Sequence, residues 1–434
     1  MSPKKRKPLT VFEHQSVRVG QTVGGVLFER RHFEALEKFY GSGTPYFSLI
    51  YNGVKFNEFV GTIQIGTLTI EVLPKADLGS DNEKWHNILV GILRAVGAFE
   101  IHAPTSASLK VASNSILDLY LELFITEVEW LVHRGLLKRY RKEEGNLTTL
   151  KGCIQFSSHV RTNIVHKERF FVRHTVYDQD HLLNRILNKT IDLVQRINTN
   201  SVLASRIGAL RLKFPEVQDC NLTFEQFDRI VFDRKSEPYQ KAISIAKLLL
   251  FNYHPDIVNG RENVLAIMFD MNVLWELFVY RSLQRFNDRG KTIEAQSNKD
   301  FWKPHHGVKV RMRPDIVINR NQPDCVVLDT KWKNLGACNP STSDLRQMYV
   351  YANYYRACGT FLIYPGDRNE INMGIFYDPD GHVGEQSCGI VTLQVERVIK
   401  HWQRNISEVL SYEVFHMKNH VEGKISNKRQ ATRG

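Results

Sequence analysis

The sequence has few of the features that define several common protein classes. Its six cysteines are scattered over 434 residues and form no C-x-x-C pair. We therefore expect neither a zinc site nor a disulfide framework, and a reducing cytoplasm suits such a chain. No apolar run approaches the roughly 18 residues that a membrane span needs. The basic start, MSPKKRKPLT, lacks an apolar segment and so is not typical of a signal peptide.

A complete phosphate-binding loop is also absent from the sequence. The nearest match is RFNDRGKT at residues 285–292, which ends in Gly-Lys-Thr but has Arg285 in place of the first glycine. It also follows a predicted helix, whereas a phosphate-binding loop follows a strand. We therefore expect no nucleotide hydrolysis by this chain alone.

Positive charge is present in excess. The chain has 58 Lys and Arg residues against 46 Asp and Glu residues, a formal net charge of +12. This balance favours a polyanionic partner, most often nucleic acid, and a soluble basic protein without such a partner is the alternative. The length suggests two or more domains, and a hydrophobic content of 42% is enough to form their cores.

The order of local patterns predicts a multidomain protein of mixed α and β structure. Short β runs occupy residues 46–76, where Asn52-Gly53 is a hairpin signal. Residues 141–180 are mixed and polar, and 254–263 resemble a linker. Helical periodicity is found at 82–99, 114–140, 181–197, 238–250, 272–286 and 343–357. Further strands are predicted at 306–313, 315–319, 324–332 and 360–365.

One stretch, RMRPDIVINRNQPDCVVLDTKWK at residues 311–333, combines strand-like runs with charged residues. Residues i and i+2 of a strand share a face, so Asp329 and Lys331 should project to the same side. A turn at NRNQPD would bring Asp315 beside them. Two close carboxylates repel each other unless a cation lies between them, and Mg²⁺ prefers oxygen ligands of this kind. A nearby lysine can orient or deprotonate water or stabilise an anionic phosphate.

The chemistry that this stretch favours is metal-assisted phosphodiester hydrolysis. The alternative is an ordinary hairpin with aspartates in turns and a solvated lysine. A D/E-x-K triplet is a weak signal by itself, since others stand at residues 233–235 and 422–424. Only the triplet at 329–331 follows a strand-like run and has a Pro-Asp pair, Pro314-Asp315, one strand earlier.

Two further features extend the candidate site. Glu276 lies on the partly apolar face of a predicted helix, where a carboxylate needs a partner or a metal. It could instead be a rim glutamate that pairs with Arg281. Gln347 and Tyr351 lie four apart on one helix face, and simple packing of a tyrosine-rich helix is the alternative.

Taken in order, these residues resemble the PD-(D/E)xK nuclease superfamily, and Gln347-x-x-x-Tyr351 is similar to the Q-x-x-x-Y helix of its RecB-like branch. A larger part of the chain resembles the McrC family, the nuclease subunit of the McrBC modification-dependent restriction system. The similar stretches are FVGTIQIGTLTIEVLPKA (59–76), HKERFFVRHTVYDQDHLLNRIL (166–187) and IMFDMNVLWELFV (267–279).

The resemblance implies a fold with a β-rich N-terminal module, a helical middle region and a C-terminal nuclease core built on a mixed sheet flanked by helices. The expected divisions are a basic tail at 1–10, a partner-binding domain at 11–110, a mainly helical region at 111–261, an endonuclease domain at 262–410 and a basic tail at 411–434.

The resemblance also implies an activity and a partner. Asp315, Asp329 and Glu276 would hold Mg²⁺, with Glu276 either a ligand or a carboxylate that orients water. Lys331 would be the catalytic lysine, and Gln347 and Tyr351 would support the site or contact DNA. An McrB-like AAA+ GTPase would bind GTP, read modified cytosine in double-stranded DNA and form a cytoplasmic hetero-oligomer with this chain. Two alternatives stay open: a stand-alone DNA-repair or RNA nuclease, and a non-cleaving activator of the GTPase.

Overall fold

A computed structural model describes most of the chain, and the fold is given for those residues only. They are residues 7–41, 43–76, 81–97, 115–221, 223–254, 263–287, 290–335 and 340–412. Most of the predicted linker at 254–263 and most of the C-terminal tail lie outside this set. Within it, no helix has the length and apolar character required to cross a membrane.

The N-terminal part contains short strands and two helices. They are β1 (Leu9–Phe12), β2 (Ser16–Arg18), β3 (Thr22–Val23), β4 (Val26–Leu27), α1 (Arg30–Tyr40), β5 (Phe47–Ile50), β6 (Gly53–Phe56), β7 (Phe59–Ile65), β8 (Leu68–Leu73) and α2 (Asn82–Ala95). The predicted hairpin at Asn52-Gly53 is confirmed, because β5 pairs antiparallel with β6 and Ile50 lies opposite Gly53. Strand β2 comes so close that a Cβ on Gly53 would lie 2.3 Å from the Val17 carbonyl oxygen.

Strand β1 begins at Leu9, so the last two residues of the expected basic tail belong to a buried strand. Leu9 and Val11 are fully buried, and β1 pairs in parallel with β8 from Leu9 opposite Ile70 to Phe12 opposite Leu73. Leu9 and Val11 are apolar and two residues apart, so they share the buried face of this short strand.

The middle part alternates helices with a small polar sheet. Its elements are α3 (Ile116–Arg134), β9 (Arg139–Leu147), β10 (Cys153–Ile154), α4 (Phe156–Asn163), β11 (Phe170–Asp178), α5 (Leu182–Ile197), α6 (Ser201–Lys213), α7 (Phe224–Asp228), α8 (Gln240–Phe251) and β12 (Tyr253–His254). A 3-10 turn, Glu237–Tyr239, precedes α8. Strands β10, β11 and β9 pair in that order, all antiparallel.

The helix predicted over 114–140 is too long at its C-terminal end. Helix α3 stops at Arg134 because Gly135 has a φ of 93°, which an α-helix cannot contain. Residues from Arg139 onward form β9 and pair with β11, from Arg139 opposite Asp178 to Leu147 opposite Phe170. The segment 141–180 therefore contains most of a three-stranded sheet together with α4, and the exposed faces of the strands explain its polar composition.

The C-terminal part contains the predicted mixed sheet. Its elements are β13 (Val264–Asp270), α9 (Met271–Arg285), β14 (Ile293–Ala295), β15 (Lys299–Trp302), β16 (Val310–Met312), β17 (Ile316–Ile318), β18 (Val326–Thr330), α10 (Thr342–Tyr355), β19 (Gly359–Gly366), β20 (Glu370–Tyr377) and β21 (Val383–Gln394). Residues 399–412 are also helical. The six-stranded sheet has the order β14-β17-β18-β19-β21-β20. Its β18–β19 and β19–β21 pairs are parallel and the others antiparallel, and α9 and α10 pack against it.

The chain divides into two compact units. The first takes its described residues from Met1–Pro8, Thr62–Thr69 and Glu100–Ile267. Helices α3, α5, α6 and α8 pack together in it. The second takes its described residues from Leu9–Gly61, Ile70–Phe99 and Met268–Gly434. It therefore unites the N-terminal segment with the six-stranded sheet.

Candidate active site

The two candidate aspartates lie near each other where β17 begins and β18 ends. Asp315 directly precedes β17, which pairs antiparallel with β18 with Ile316 opposite Leu328, and Asp329 is the next residue of β18. The Asp315 carboxylate accepts hydrogen bonds from the Thr330 backbone N–H at 2.6 Å and from the Thr330 hydroxyl at 2.8 Å. These bonds fix the orientation of Asp315 at the edge of the sheet.

Asp329 and Lys331 meet directly at the end of β18. Lys331 Nζ lies 2.6 Å from Asp329 Oδ2, and Asp329 is only 1% exposed. Burial and then repulsion by Asp315 raise the pKa of Asp329 to about 6, although Lys331 opposes this shift. Burial acts to lower the pKa of Lys331, but attraction by Asp329 and Asp315 outweighs it, and the pKa is raised. Lys331 therefore carries an ammonium group at neutral pH.

Glu276 reaches the site from α9. Burial, followed by repulsion from Asp315, raises the pKa of Glu276 to about 7. Gln296 Nε2 donates to Glu276 Oε1 at 2.9 Å, and the Gln296 side-chain oxygen accepts from Arg313. Sequence reasoning missed Gln296 and Arg313. Arg313 directly precedes Pro314-Asp315, but no periodicity marks Gln296, whose position depends on a backbone φ of 50°.

Gln347 and Tyr351 lie on the same face of α10, and Gln347 contacts Asp329. Gln347 Nε2 donates to Asp329 Oδ1 at 3.1 Å and to the Tyr351 hydroxyl at 2.9 Å. Burial raises the pKa of Tyr351 to about 12. Lys331, Asp329, Gln347 and Tyr351 are therefore linked by direct contacts. Asp315 lies close enough to add to the effect of burial in raising the pKa of Asp329 and of Glu276.

The donor set is suited to a hard cation with a small number of protein ligands. Among the described residues, no three His, Cys, Asp or Glu side chains are arranged closely enough to enclose a metal ion. Asp315 nevertheless lies close enough to both Asp329 and Glu276 to add to the effect of burial in raising the pKa of each. Mg²⁺ is commonly held by one or two carboxylates, with water and phosphate oxygens completing the shell. The pair of aspartates therefore fits a hard cation such as Mg²⁺.

A buried network lies next to the end of β18. Trp332, the residue after Lys331, donates its indole N–H to Glu13 Oε1 at 2.7 Å, and Glu13 also accepts from the Lys75 backbone N–H at 2.8 Å. The centroid of the Trp332 ring lies 5.5 Å from that of Trp275 and 6.3 Å from that of Trp85. Trp275 is the residue before Glu276 in the sequence. Sequence reasoning missed this network, because no local pattern pairs Glu13 with a residue 319 positions away.

The other D/E-x-K triplets do not form comparable sites in the described residues. Asp233 lies in a turn, where its side chain accepts hydrogen bonds from the Ser236 backbone N–H and hydroxyl. The triplet at 422–424 lies outside the described residues. The RFNDRGKT segment begins at the end of α9, and Lys291 there exchanges hydrogen bonds with Asn287.

Comparisons with known proteins agree with the resemblance to McrC. A family model described as McrBC 5-methylcytosine restriction system component matches residues 54–365. The Type IV methyl-directed restriction enzyme EcoKMcrBC of Escherichia coli (strain K12) is 22% identical over 273 residues, which cover 59% of this chain and 78% of that protein.

Two similar solved structures come from Thermococcus gammatolerans. One is a half-complex from the tetradecameric assembly of McrB AAA+ hexamers with bound McrC. It matches with a TM-score of 0.70 and 20% identity, covering 94% of this chain and 100% of that chain. The other is the McrBC complex determined by cryo-EM, with a TM-score of 0.49 and 20% identity, covering 64% and 88%. The likeness in fold is based on the first structure.

Proposed function

The chain belongs to the McrBC 5-methylcytosine restriction system component family, and on that premise we propose that it is the Mg²⁺-dependent DNA endonuclease subunit of a GTP-dependent restriction complex. The main supporting observation is that the pairing of β17 with β18 brings Asp315 near Asp329, with the Lys331 ammonium 2.6 Å from the Asp329 carboxylate. This arrangement agrees with a PD-(D/E)xK nuclease core. It provides two oxygen donors and one positive charge at one edge of a sheet.

Asp315 and Asp329 would hold the metal, which when bound would polarise the phosphate and lower the pKa of a bound water. Gln347 keeps one oxygen of Asp329 engaged, and Thr330 does the same for Asp315. The two carboxylates are therefore oriented before any ligand arrives. Such preorganisation avoids reorganisation at the moment of reaction.

Lys331 and Glu276 have different tasks in this proposal. Lys331 stays protonated, because neighbouring carboxylates raise its pKa, and so it stabilises the negative charge that develops on the phosphate. This raised pKa supports charge stabilisation over removal of a proton from water. Glu276, with a pKa of about 7, orients the attacking water or supplies a further ligand. A carboxyl group with this pKa can also accept a proton near neutral pH.

The proposed partner is an McrB-like AAA+ GTPase, which binds the GTP and reads modified cytosine in double-stranded DNA. Support comes from the family and from the T. gammatolerans structure, in which McrB AAA+ hexamers carry bound McrC. The N-terminal segment at 11–110 is proposed to contact the GTPase. The basic surface of the chain would contact DNA phosphates without reading sequence.

A cleavage assay on Lys331→Ala tests the proposal. The substrate is DNA containing 5-methylcytosine, with Mg²⁺, GTP and the cognate GTPase present. Loss of a transition-state contact of this kind costs on the order of 10²–10³ in rate or more. The matched control is Lys235→Ala, which alters the exposed lysine of another D-x-K triplet and should cut normally. Equal rates for the two variants would contradict the assigned role of Lys331.

The same assay separates the proposal from its alternatives. Lys331→Ala should still stimulate GTP hydrolysis by the partner, since the GTPase contact is proposed elsewhere in the chain. Efficient cutting by the parent without any GTPase would instead identify a stand-alone nuclease. Stimulation of GTP hydrolysis with no cutting by the parent under any condition would identify a non-cleaving activator.

A further inference from the structure

An exposed hairpin lies between Gln296 and Asp315 in the sequence, two residues of the candidate active site. We define the β15–β16 arm as residues 299–312. Its strands are antiparallel, with Lys299 opposite Met312 and Trp302 opposite Val310, and they form a sheet of their own. Every residue from Lys299 to Arg311 is exposed except Pro304, which is half-buried. An isolated two-stranded hairpin is marginally stable in water, so the arm requires an anchor.

Helix α10 supplies that anchor. The Phe301 ring packs edge-on against Tyr354 with the ring centroids 5.1 Å apart. Lys299 Nζ donates to the Tyr354 carbonyl oxygen and lies 5.5 Å from the centre of the Tyr355 ring. The same helix carries Gln347. The base of the arm is therefore held by the element that also orients Asp329.

The arm is close enough to the site to contact the same nucleic acid. Val310 and Asp315 are five residues apart, which an extended chain spans in at most about 18 Å. Trp302 lies opposite Val310 on the neighbouring strand, and this pairing adds about 5 Å to the distance from Asp315. The sum, about 23 Å, is less than one turn of duplex DNA, about 34 Å. A duplex with its scissile phosphate at Asp315 is thus within reach of the arm.

Charge identifies the class of partner. Residues 299–313 contain five Lys or Arg side chains and a single acidic one, Asp300. Asp300 pairs with Lys309 Nζ at 2.6 Å and with Arg311 Nε at 3.0 Å, so it holds both cations on one strand. Lys303 lies near the turn, where Gly307 has a φ of 118°. A net positive charge of four on so short a segment is complementary to phosphates.

Apolar side chains alternate with these cations. Trp302 is 58% exposed and Val308 is 90% exposed. Large apolar groups between basic ones suit a surface that meets both phosphates and base edges. The major groove of B-DNA admits a two-stranded β-ribbon.

We propose that the β15–β16 arm is a DNA-binding element that enters a groove of the duplex beside the cleavage site. Lys303, Lys309 and Arg311 contact phosphates, and Trp302 and Val308 face the groove. The inference rests on the proposed nuclease function for the nature of the ligand. It adds a positioning surface that does not touch the reacting phosphate.

Tryptophan fluorescence tests the placement directly. The full chain is mixed with a 30-base-pair duplex in EDTA, so that no cutting occurs, and quenching by acrylamide is measured. DNA should protect part of the accessible fluorescence, and Trp302→Phe should remove the protected component. This substitution alters an exposed side chain, and the melting temperature verifies the fold. Equal protection in parent and Trp302→Phe would overturn the proposal.

The salt dependence of binding tests the charges. Each phosphate contact contributes about 0.9 to the slope of log K against log salt. Lys303→Ala combined with Lys309→Ala should therefore reduce the slope by about 1.8. The matched control is Lys213→Ala combined with Lys235→Ala, two exposed lysines of the first unit, and it should change the slope much less. Equal slopes in the two double variants would overturn the assignment.

Cleavage by the parent distinguishes the two proposals. If the parent cuts DNA and the arm variants bind normally, the arm assignment is wrong and the nuclease proposal stands. If the parent never cuts but the arm variants lose DNA binding, the arm assignment stands and the nuclease proposal fails. Protection of Trp302 by the GTPase and not by DNA would show that the arm is a protein contact, and would overturn the inference.

Discussion

Replacing Glu13 with glutamine should stabilise the protein far more at alkaline pH than at acidic pH. Glu13 is 7% exposed, and both of its hydrogen-bond donors, Trp332 Nε1 and the Lys75 N–H, reach one oxygen, Oε1. The other oxygen, Oε2, is buried without a hydrogen-bond partner in the described part of the chain. Burial raises the pKa of Glu13 from 4.5 to about 7, although the two hydrogen bonds oppose this shift.

Because the folded chain raises the pKa of this acid, the protein becomes less stable as the pH rises. Below pH 4.5 the carboxyl group is protonated in both the folded and the unfolded chain, and it imposes no charge penalty. Between pH 4.5 and 7 the unfolded chain ionises first, so stability is lost as the pH rises. A shift of about 2.5 pKa units at about 1.36 kcal/mol each gives a loss of about 3 kcal/mol above pH 7.

Glutamine retains an oxygen acceptor and carries no charge. At pH 5 Glu13→Gln should be more stable than the parent by only about 0.8 kcal/mol, because the folded parent is neutral at this position while the unfolded parent has begun to ionise. At pH 8.5 the variant should be more stable by up to about 3 kcal/mol. Thermal melting monitored by tryptophan fluorescence measures both values.

The control for this experiment is Glu37→Gln, which removes the same charge from an exposed position on α1. The difference in stability between Glu37→Gln and the parent should vary far less with pH. If Glu13→Gln differs from the parent by the same amount at pH 5 and pH 8.5, burial does not raise the pKa of Glu13. The reasoning about this network would then be wrong.

The other predictions concern the proposed site and use DNA cleavage with Mg²⁺ and the cognate GTPase. Asp315→Ala and Asp329→Ala should each abolish cutting without unfolding the protein, because each removes an oxygen ligand; full cutting by either, with normal melting, would contradict the metal site. Gln347→Ala should slow cleavage more than Tyr351→Phe does, because Gln347 donates a hydrogen bond to Asp329 whereas the Tyr351 hydroxyl bonds to Gln347; the reverse order would show that Tyr351 acts independently. The purified chain should hydrolyse neither GTP nor ATP, and sustained turnover that is lost on Lys291→Ala would show that RFNDRGKT was misinterpreted.

Local geometry explains which parts of the site could be predicted from the sequence. The i, i+2 rule of a strand placed Asp329 beside Lys331, and the i, i+4 rule of a helix placed Gln347 beside Tyr351. The short connection between β17 and β18 made an antiparallel hairpin the simple expectation for Asp315. These relations depend on backbone periods that do not change with the rest of the fold.

The polar partners of Glu276 required the tertiary structure. Gln296 contacts Glu276 across 20 residues only because its backbone adopts a φ of 50° after β14. The end of α3 was misjudged for a related reason. Apolar periodicity continued past Gly135, but the positive φ there ends the helix, and pairing with β11 then stabilises β9.

By itself, the sequence indicated the mixed α/β class and the six candidate residues through residue types and short spacings, and it indicated the family through the resemblance of longer stretches to McrC. Only the tertiary structure decided that the N-terminal segment from Leu9 belongs to the same compact unit as the six-stranded sheet. It also decided that Glu13 lies against Trp332, 319 positions away. Contacts at such separations arise from packing of complementary buried surfaces, which no backbone period encodes. No local sequence pattern therefore identifies Glu13, although its buried carboxyl group gives the strongest predicted pH dependence.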